Sequence, residues 1–325
     1  MRIDHKELFS IPLYAFEPLR KLFFSLVLLL SLISCTARQQ APAVQMPAGS
    51  GMRVISDALG RPYALSGEPR RIVSLSPAVT EILFAIGAGD QVAGVTQYCD
   101  YPPAARTRTS VGGFSGATVS VEQILALGPD LVILSADMHA RIVSLLDNLK
   151  IPSFAVEPRN LSQVYGVIAL LGEITGCGPG AGEVVAEMKR KIAAVEERLQ
   201  GRDRPGVFWV LSDEPLMTAG PETFVSEAIA LAGGRNIFAD VREQWPLASP
   251  EQIFLRKPEW VLLGDDMLDA PALLGKAFWQ NIPAVREGRT AIVSADLFYR
   301  YGPRLADGVE LIAGILHASA QSNGL

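Results

Sequence analysis

The sequence predicts an α/β protein of two Rossmann-like lobes with parallel central sheets, joined by a long helix. Three observations carry this. From Arg70 onward, short β-branched runs alternate with helical segments of about ten residues, the grammar of βαβ units and parallel sheets. The alternation occurs twice, on either side of a largely helical stretch. A fifteen-residue phrase also recurs: SVEQILALGPDLVIL at Ser120–Leu134 and SPEQIFLRKPEWVLL at Ser249–Leu263 share seven identities without a gap, 129 residues apart.

At the start of the chain, Arg20 and Lys21 precede a twelve-residue apolar run, Leu22–Ile33. That is short for a bilayer core of about 30 Å and suits the apolar region of a secretory leader. The run closes on Leu32-Ile33-Ser34-Cys35, which resembles the bacterial lipobox and marks Cys35 as the lipidated first residue of the mature chain. Residues 1–34 therefore read as a lipoprotein signal peptide. Residues 35–51, small, polar and Pro-containing beyond Cys35, read as a tether between membrane and folded domain. Without residues 1–34 the balance is 25 Lys+Arg against 31 Asp+Glu, or −6, so the acyl chains and not charge would hold the protein at a membrane. Cys99 and Cys177 read as two separate thiols.

The first lobe, residues 52–160, opens with MRVISDALGRPYALSG, a hairpin turning at Asp57–Gly60. RIVSLS is a strand, TEILFAIGAG a helix with a Gly stop, and QVAGVT a second strand. SVEQILALG is a helix, PDLVILS a strand, RIVSLLDNLK a helix and IPSFAVE a strand. The linking segment, 161–202, holds EVVAEMKRKIAAVEERLQ (Glu183–Gln200), which has no internal Gly or Pro. At 1.5 Å per residue it spans about 27 Å, and as a strut across two lobes it would be stiff. In the second lobe, 203–325, GVFWVLS, EWVLLG and RTAIVSA are strands. TFVSEAIALAGG, PEQIFLRK, ALLGKAFWQN and PRLADGVELIAGILHAS are helices.

The repeated phrase is a helix–strand unit used once per lobe. Ser120 and Ser249 each precede a Gln by three positions, the capping-box spacing, and Pro250 takes the first helical position, where its missing N–H costs nothing. Pro129 and Pro258 end the helices. Glu122 and Glu251 fall at the second helical position, where the helix dipole favours a carboxylate. On two equivalent lobes they also form a matched pair of anchors for a basic partner with a two-fold symmetric surface.

Composition narrows the function. Hydrophobic residues at 49% and charged residues at 19% suit a folded protein, while a pI of about 5.4 without any basic run excludes nucleic-acid binding. Three histidines, one in the leader, do not furnish a metal site. No P-loop, H-E-x-x-H, G-x-S-x-G or nucleophilic cysteine setting is present, so no catalytic residue is assigned. A secreted α/β enzyme remains the alternative of another class.

The phrases SLSPAVTEILFAIGAGD, YCDYP, GGRNIF and the two EQI repeats, in this order from Arg53 to His317, closely resemble the substrate-binding proteins of ABC importers for cobalamin, haem and iron–siderophores. Within that family the likeness is strongest to the cobalamin receptors. The resemblance implies two α/β lobes on a rigid backbone helix, a ligand cleft between them, and one glutamate per lobe docking into arginine pockets of a permease dimer that works with ATPase subunits. Those glutamates match Glu122 and Glu251. It implies cleft roles for Tyr98 in TQYCDYP, Phe114 in GGFSG, Trp245 in REQWPLASPEQ, and Asp296 with Arg300 nearby in ADLFYRYGPR. Trp209, Trp260 and Trp279 sit in strand or helix contexts that suit a core, whereas Trp245 stands between polar residues and a proline. Phe114 departs from a family tryptophan, and Ser135 and Leu297 stand where aromatics are expected, so an iron–siderophore or haem is the alternative ligand. His139 or Tyr98 would then be the ligand to haem iron. The expected protein is a monomeric, lipid-anchored, extracytoplasmic receptor for cobalamin or an iron complex, without a cofactor of its own.

Overall fold

The computed structural model describes residues 53–267 and 269–318; the apolar run, Cys35 and the tether lie outside them. β1 (Arg53–Ser56) and β2 (Pro62–Leu65) pair as an antiparallel hairpin. Its turn is organised by Asp57, whose buried carboxylate accepts from the backbone N–H groups of Leu59, Arg61 and Ala155 and from the Arg61 guanidinium. Then follow β3 (Ile72–Ser74), α1 (Pro77–Ala85), β4 (Val92–Val95), β5 (Thr109–Ser110), α2 (Val121–Leu127), β6 (Leu131–Ser135), α3 (Ala136–Asn148) and β7 (Ser153–Val156). They build a five-stranded parallel sheet in the order β5-β4-β3-β6-β7.

Two helices follow, α4 (Leu161–Thr175) and α5 (Gly178–Arg198). The second sheet is built from β8 (Gly206–Val210), β11 (Arg235–Asn236), β12 (Trp260–Gly264) and β13 (Thr290–Val293), all parallel, in the order β11-β8-β12-β13. β9 (Ser212–Asp213) and β10 (Leu216–Met217) form a small hairpin beside it. Its helices are α6 (Phe224–Leu231), α7 (Pro250–Arg256), α8 (Ala270–Gly275), α9 (Ala277–Gln280), α10 (Pro283–Arg286), α11 (Asp296–Tyr299) and α12 (Leu305–Leu316). Each sheet reverses its winding once, between β3 and β6 and between β8 and β12. In open α/β sheets a crevice forms beyond the carboxyl ends of the strands at such a reversal.

Alternation along the strands distributes the core. In β6, Leu131 and Ile133 face one way and Val132 and Leu134 the other. In β8, Val207 and Trp209 oppose Phe208 and Val210 in the same fashion. One face of both sheets joins α4, α5 and α12 in a single hydrophobic cluster, while the other faces form one cluster per lobe. The two lobes therefore share a core.

Three local expectations are corrected. The long helix begins at Gly178, not Glu183, and its 21 residues span about 30 Å. Pro179 fits its first turn, and Gly180 lies so close to the Ile86 carbonyl that a Cβ would sit 2.3 Å from that oxygen, so the glycines start this helix where they would weaken a free one. The segment read as one helix at ALLGKAFWQN is two, because Lys276 adopts an extended conformation (ψ 145°) between α8 and α9. The second copy of the repeat has the full capping box at Ser249, whereas Ser120 provides only the bond accepted from the Gln123 N–H.

Candidate functional site

A cavity of about 750 Å³ opens between the sheets, and its walls come from the segments just beyond strand ends, as the two winding reversals require. Three loops aim aromatic side chains into it. Tyr98 follows β4 in a turn closed by the Cys99 N–H on the Thr96 carbonyl. Phe114 rides a tight loop closed by the Gly113 N–H on the Thr118 carbonyl. Gly112 (φ 109°) has the left-handed backbone that glycine tolerates, and a Cβ on Gly113 would meet the Thr118 side chain at 2.4 Å, so GG precedes the phenylalanine for a steric reason. The Trp245 loop lies against β10 and its extension, with Thr218 N–H on the Pro246 carbonyl and Gly220 N–H on that of Gln244.

The three rings stand 50%, 40% and 41% exposed, while Trp209 and Trp279 are buried in the core. Tyr98 and Phe114 meet edge to face with centroids 6.1 Å apart on one wall, and Trp245 belongs to the other. Ser135, at one position where an aromatic was expected, donates its hydroxyl to Glu157 at 2.6 Å and makes that stretch of wall polar. Leu297, at the other, packs against the shared core.

Asp296 and Arg300 line the cavity but are bound up in an ion cluster. Arg300 reaches Asp296 at 2.7 Å, Asp100 at 2.7 Å and Glu81 at 3.1 Å. Arg304 binds Glu81 through two nitrogens, at 2.8 and 2.5 Å, and covers the Tyr101 ring at 4.0 Å. Burial pushes the Asp296 carboxyl up, against the opposing pull of Arg300. Burial also acts on Asp100, but the hydrogen bond and charge of Arg300 outweigh it and hold that carboxyl below its usual range. Glu81 and Asp100 belong to the first lobe, and Asp296, Arg300 and Arg304 to the second. The cluster ties the lobes at one end of the cleft, so Arg300 has no free face for an anion.

His139, a candidate ligand to haem iron in the alternative reading, is already engaged by the protein. It lies buried on α3, its Nδ1 accepting from the Ser135 N–H at 3.2 Å and its Nε2 donating to the Phe114 carbonyl at 3.0 Å. Burial lowers its pKa, and with both nitrogens engaged it pins the Phe114 loop and has no lone pair left for haem iron. Glu122 and Glu251 lie exposed on α2 and α7, outside the cavity walls. The Glu251 carboxyl is held below its usual range by its own backbone N–H and by Ser249. Cys99, buried, and Cys177, partly buried, are free thiols. Among the described residues no group of three His, Cys, Asp or Glu side chains is arranged to hold a metal ion, and no helix is long and apolar enough to cross a membrane.

The sequence did not single out Glu81, Asp100, Arg304, Glu157 or Glu222. Only Glu81 left a local signal, a lone charge inside the apolar run TEILFAIG.

Two lobes sharing a core, with a cleft at the carboxyl ends of both sheets, describe a receptor for a small molecule. The periplasmic binding protein family matches residues 72–297, and the chain belongs to it. It is therefore a substrate-binding protein of an ABC importer, extracytoplasmic and not an enzyme. The chain is 32% identical to the cobalamin-binding protein of Halobacterium salinarum over 315 residues, 91% of this chain and 84% of that one. Among solved structures, it aligns with the periplasmic vitamin B12 binding protein of Vibrio cholerae at a TM-score of 0.66 and 26% identity, covering 78% of this chain and 99% of that one. It aligns with a periplasmic heme-binding protein from Roseiflexus sp. RS-1 at 0.70 and 26%, covering 78% and 100%.

Proposed function

We propose that this protein captures cobalamin or a related corrinoid between its lobes and delivers it to an ABC permease dimer. The observation that carries the reading is the pair of facing walls, Tyr98 and Phe114 on one lobe and Trp245 on the other, half exposed around a cavity of about 750 Å³. Rings held on stapled loops offer a broad, partly apolar guest large contact area at little entropic cost. Asp296 supplies a polar contact at the cleft edge, with Arg300 as its support. A haem would need an axial ligand, and His139 is engaged at both nitrogens, which leaves Tyr98 for that alternative.

Glu122 and Glu251 are the docking points for basic pockets on the permease, and Cys35 carries the lipid that keeps a monomeric receptor beside it. Titrating the chain from Thr36 onward with cyanocobalamin, haemin and a ferric siderophore, read by tryptophan fluorescence, tests the ligand. Stoichiometric quenching by cyanocobalamin is expected; a response to haemin or the siderophore alone would move the assignment to an iron complex. For the anchor, labelled palmitate should enter the full-length protein in a bacterial host and not the Cys35→Ala variant. Equal labelling of both would dismiss Cys35 as the lipidated residue.

A further inference from the structure

We infer that the cleft selects against anionic ligands, so that among guests of equal shape it takes the neutral or cationic one. The choice of probes rests on the corrinoid reading, but the charge rule rests on the walls. Asp137, Glu157, Glu222 and Asp296 line the cavity against Arg159 and Arg300 alone, a formal net charge of −2. Both guanidinia are already engaged: Arg159 with Asp137 at 2.7 Å, and Arg300 with three carboxylates. His139 is buried with both ring nitrogens in hydrogen bonds, and burial favours its neutral form.

Among the described lining residues, then, each guanidinium already has a carboxylate partner, so a ligand carboxylate or phosphate must compete with Asp137 for the half-exposed Arg159 or with three carboxylates for Arg300. Glu222 sits at the rim with a left-handed backbone (φ 58°), its carbonyl accepting from the Gln244 side chain, and its carboxylate makes no ion pair among the described residues. Glu157 spends one oxygen on Ser135 and the Asp137 N–H without meeting a cation. Behind the wall, Glu81 and Asp100 are balanced by Arg304 and by Arg106, 3.8 Å from Asp100, so this cluster does not offset the negative lining. An anionic group entering here meets like charge in a partly desolvated space, the repulsive component of specificity.

The test is a charge series on one scaffold: cyanocobalamin, its monocarboxylate with one peripheral amide hydrolysed, and the aminoethyl amide of that carboxylate, bound to the chain from Thr36 onward. At low ionic strength, affinity should fall about three- to ten-fold from the parent to the monocarboxylate, and the amine should bind at least as tightly as the parent. The difference should shrink in about 0.5 M salt and in Glu222→Gln, which keeps shape and removes one rim charge. Equal or tighter binding of the monocarboxylate would overturn the inference while leaving the corrinoid assignment standing. Should none of the three bind, the corrinoid assignment fails, and the charge rule is judged on cationic ferrioxamine B against an anionic ferric tris-catecholate. Preference for the cation supports it; preference for the anion, or no binding of either, overturns it.

Discussion

Trp245 shows how a side chain without a core role marks a binding surface. Its loop is fixed by backbone hydrogen bonds to Thr218 and Gly220, so the ring is presented without contributing to the fold. Trp245→Ala should weaken ligand binding by about 1–3 kcal/mol, as for a central aromatic anchor, with an unchanged melting temperature. Calorimetric titration checks this, and an unaltered affinity would place the ring away from the ligand. His139 is the opposite case, a functional-looking residue whose work is structural. Its folded pKa lies below the unfolded value of 6.5 because burial disfavours the imidazolium. The unfolded chain thus binds the extra proton first. The stability His139 contributes is complete above about pH 6.5 and is lost as pH falls through the folded pKa. In denaturant titrations between pH 7.5 and 5, the wild type should lose stability more steeply than His139→Gln, although the variant is weaker at pH 7.5. Parallel slopes would assign the loss to other groups.

At the scale of the element, the repeated helix–strand unit was legible because its instructions are local. The cap serines, the buried Ile124 and Ile253, and the terminating prolines all act within a few residues of themselves. What eluded the sequence reading depends on distant contacts. β5 and β11 are two residues long and exist only because a neighbouring strand offers hydrogen bonds. The start of α5 is set by Gly180 against Ile86, ninety-four positions away. The cleft aromatics were legible through motif resemblance, but their acidic surroundings were not, because Glu157 and Glu222 follow no shared pattern. The two caps differ in a way that can be measured. Ser249→Ala and Ser120→Ala each remove one cap bond and should cost about 1 kcal/mol, whereas Gln252→Ala, which removes the second arm of the box, should destabilise more than Gln123→Ala. Glu122 and Glu251, exposed on these same helices, should be dispensable for folding. Replacing both by Ala should reduce transport in a reconstituted importer while leaving ligand affinity intact; a matching loss of affinity would return them to the cleft.

At the scale of the whole molecule, two features oppose independent motion of the lobes. The cluster that fills one face of both sheets runs without interruption through α4, α5 and α12, so neither lobe closes its core alone. The ion cluster joins Glu81 and Asp100 of the first lobe to Arg300 and Arg304 of the second across 200 or more positions of sequence. A shared core makes partial unfolding expose apolar surface on both sides, and small movements at the cleft are the motions left. The protein should therefore unfold in one transition, with far-UV circular dichroism and tryptophan fluorescence coincident in urea. Glu81 is the sensitive point. Its side chain is 2% exposed and receives both arginines, so Glu81→Ala leaves two cations partly buried with one acceptor fewer. Breaking a buried pair from one side costs about 3 kcal/mol or more, and the same loss of an inter-lobe tie should speed ligand release. If Glu81→Ala unfolds at the wild-type urea midpoint, the cluster does not tie the lobes, and if the two probes separate into two transitions in the wild type, the lobes unfold as independent bodies.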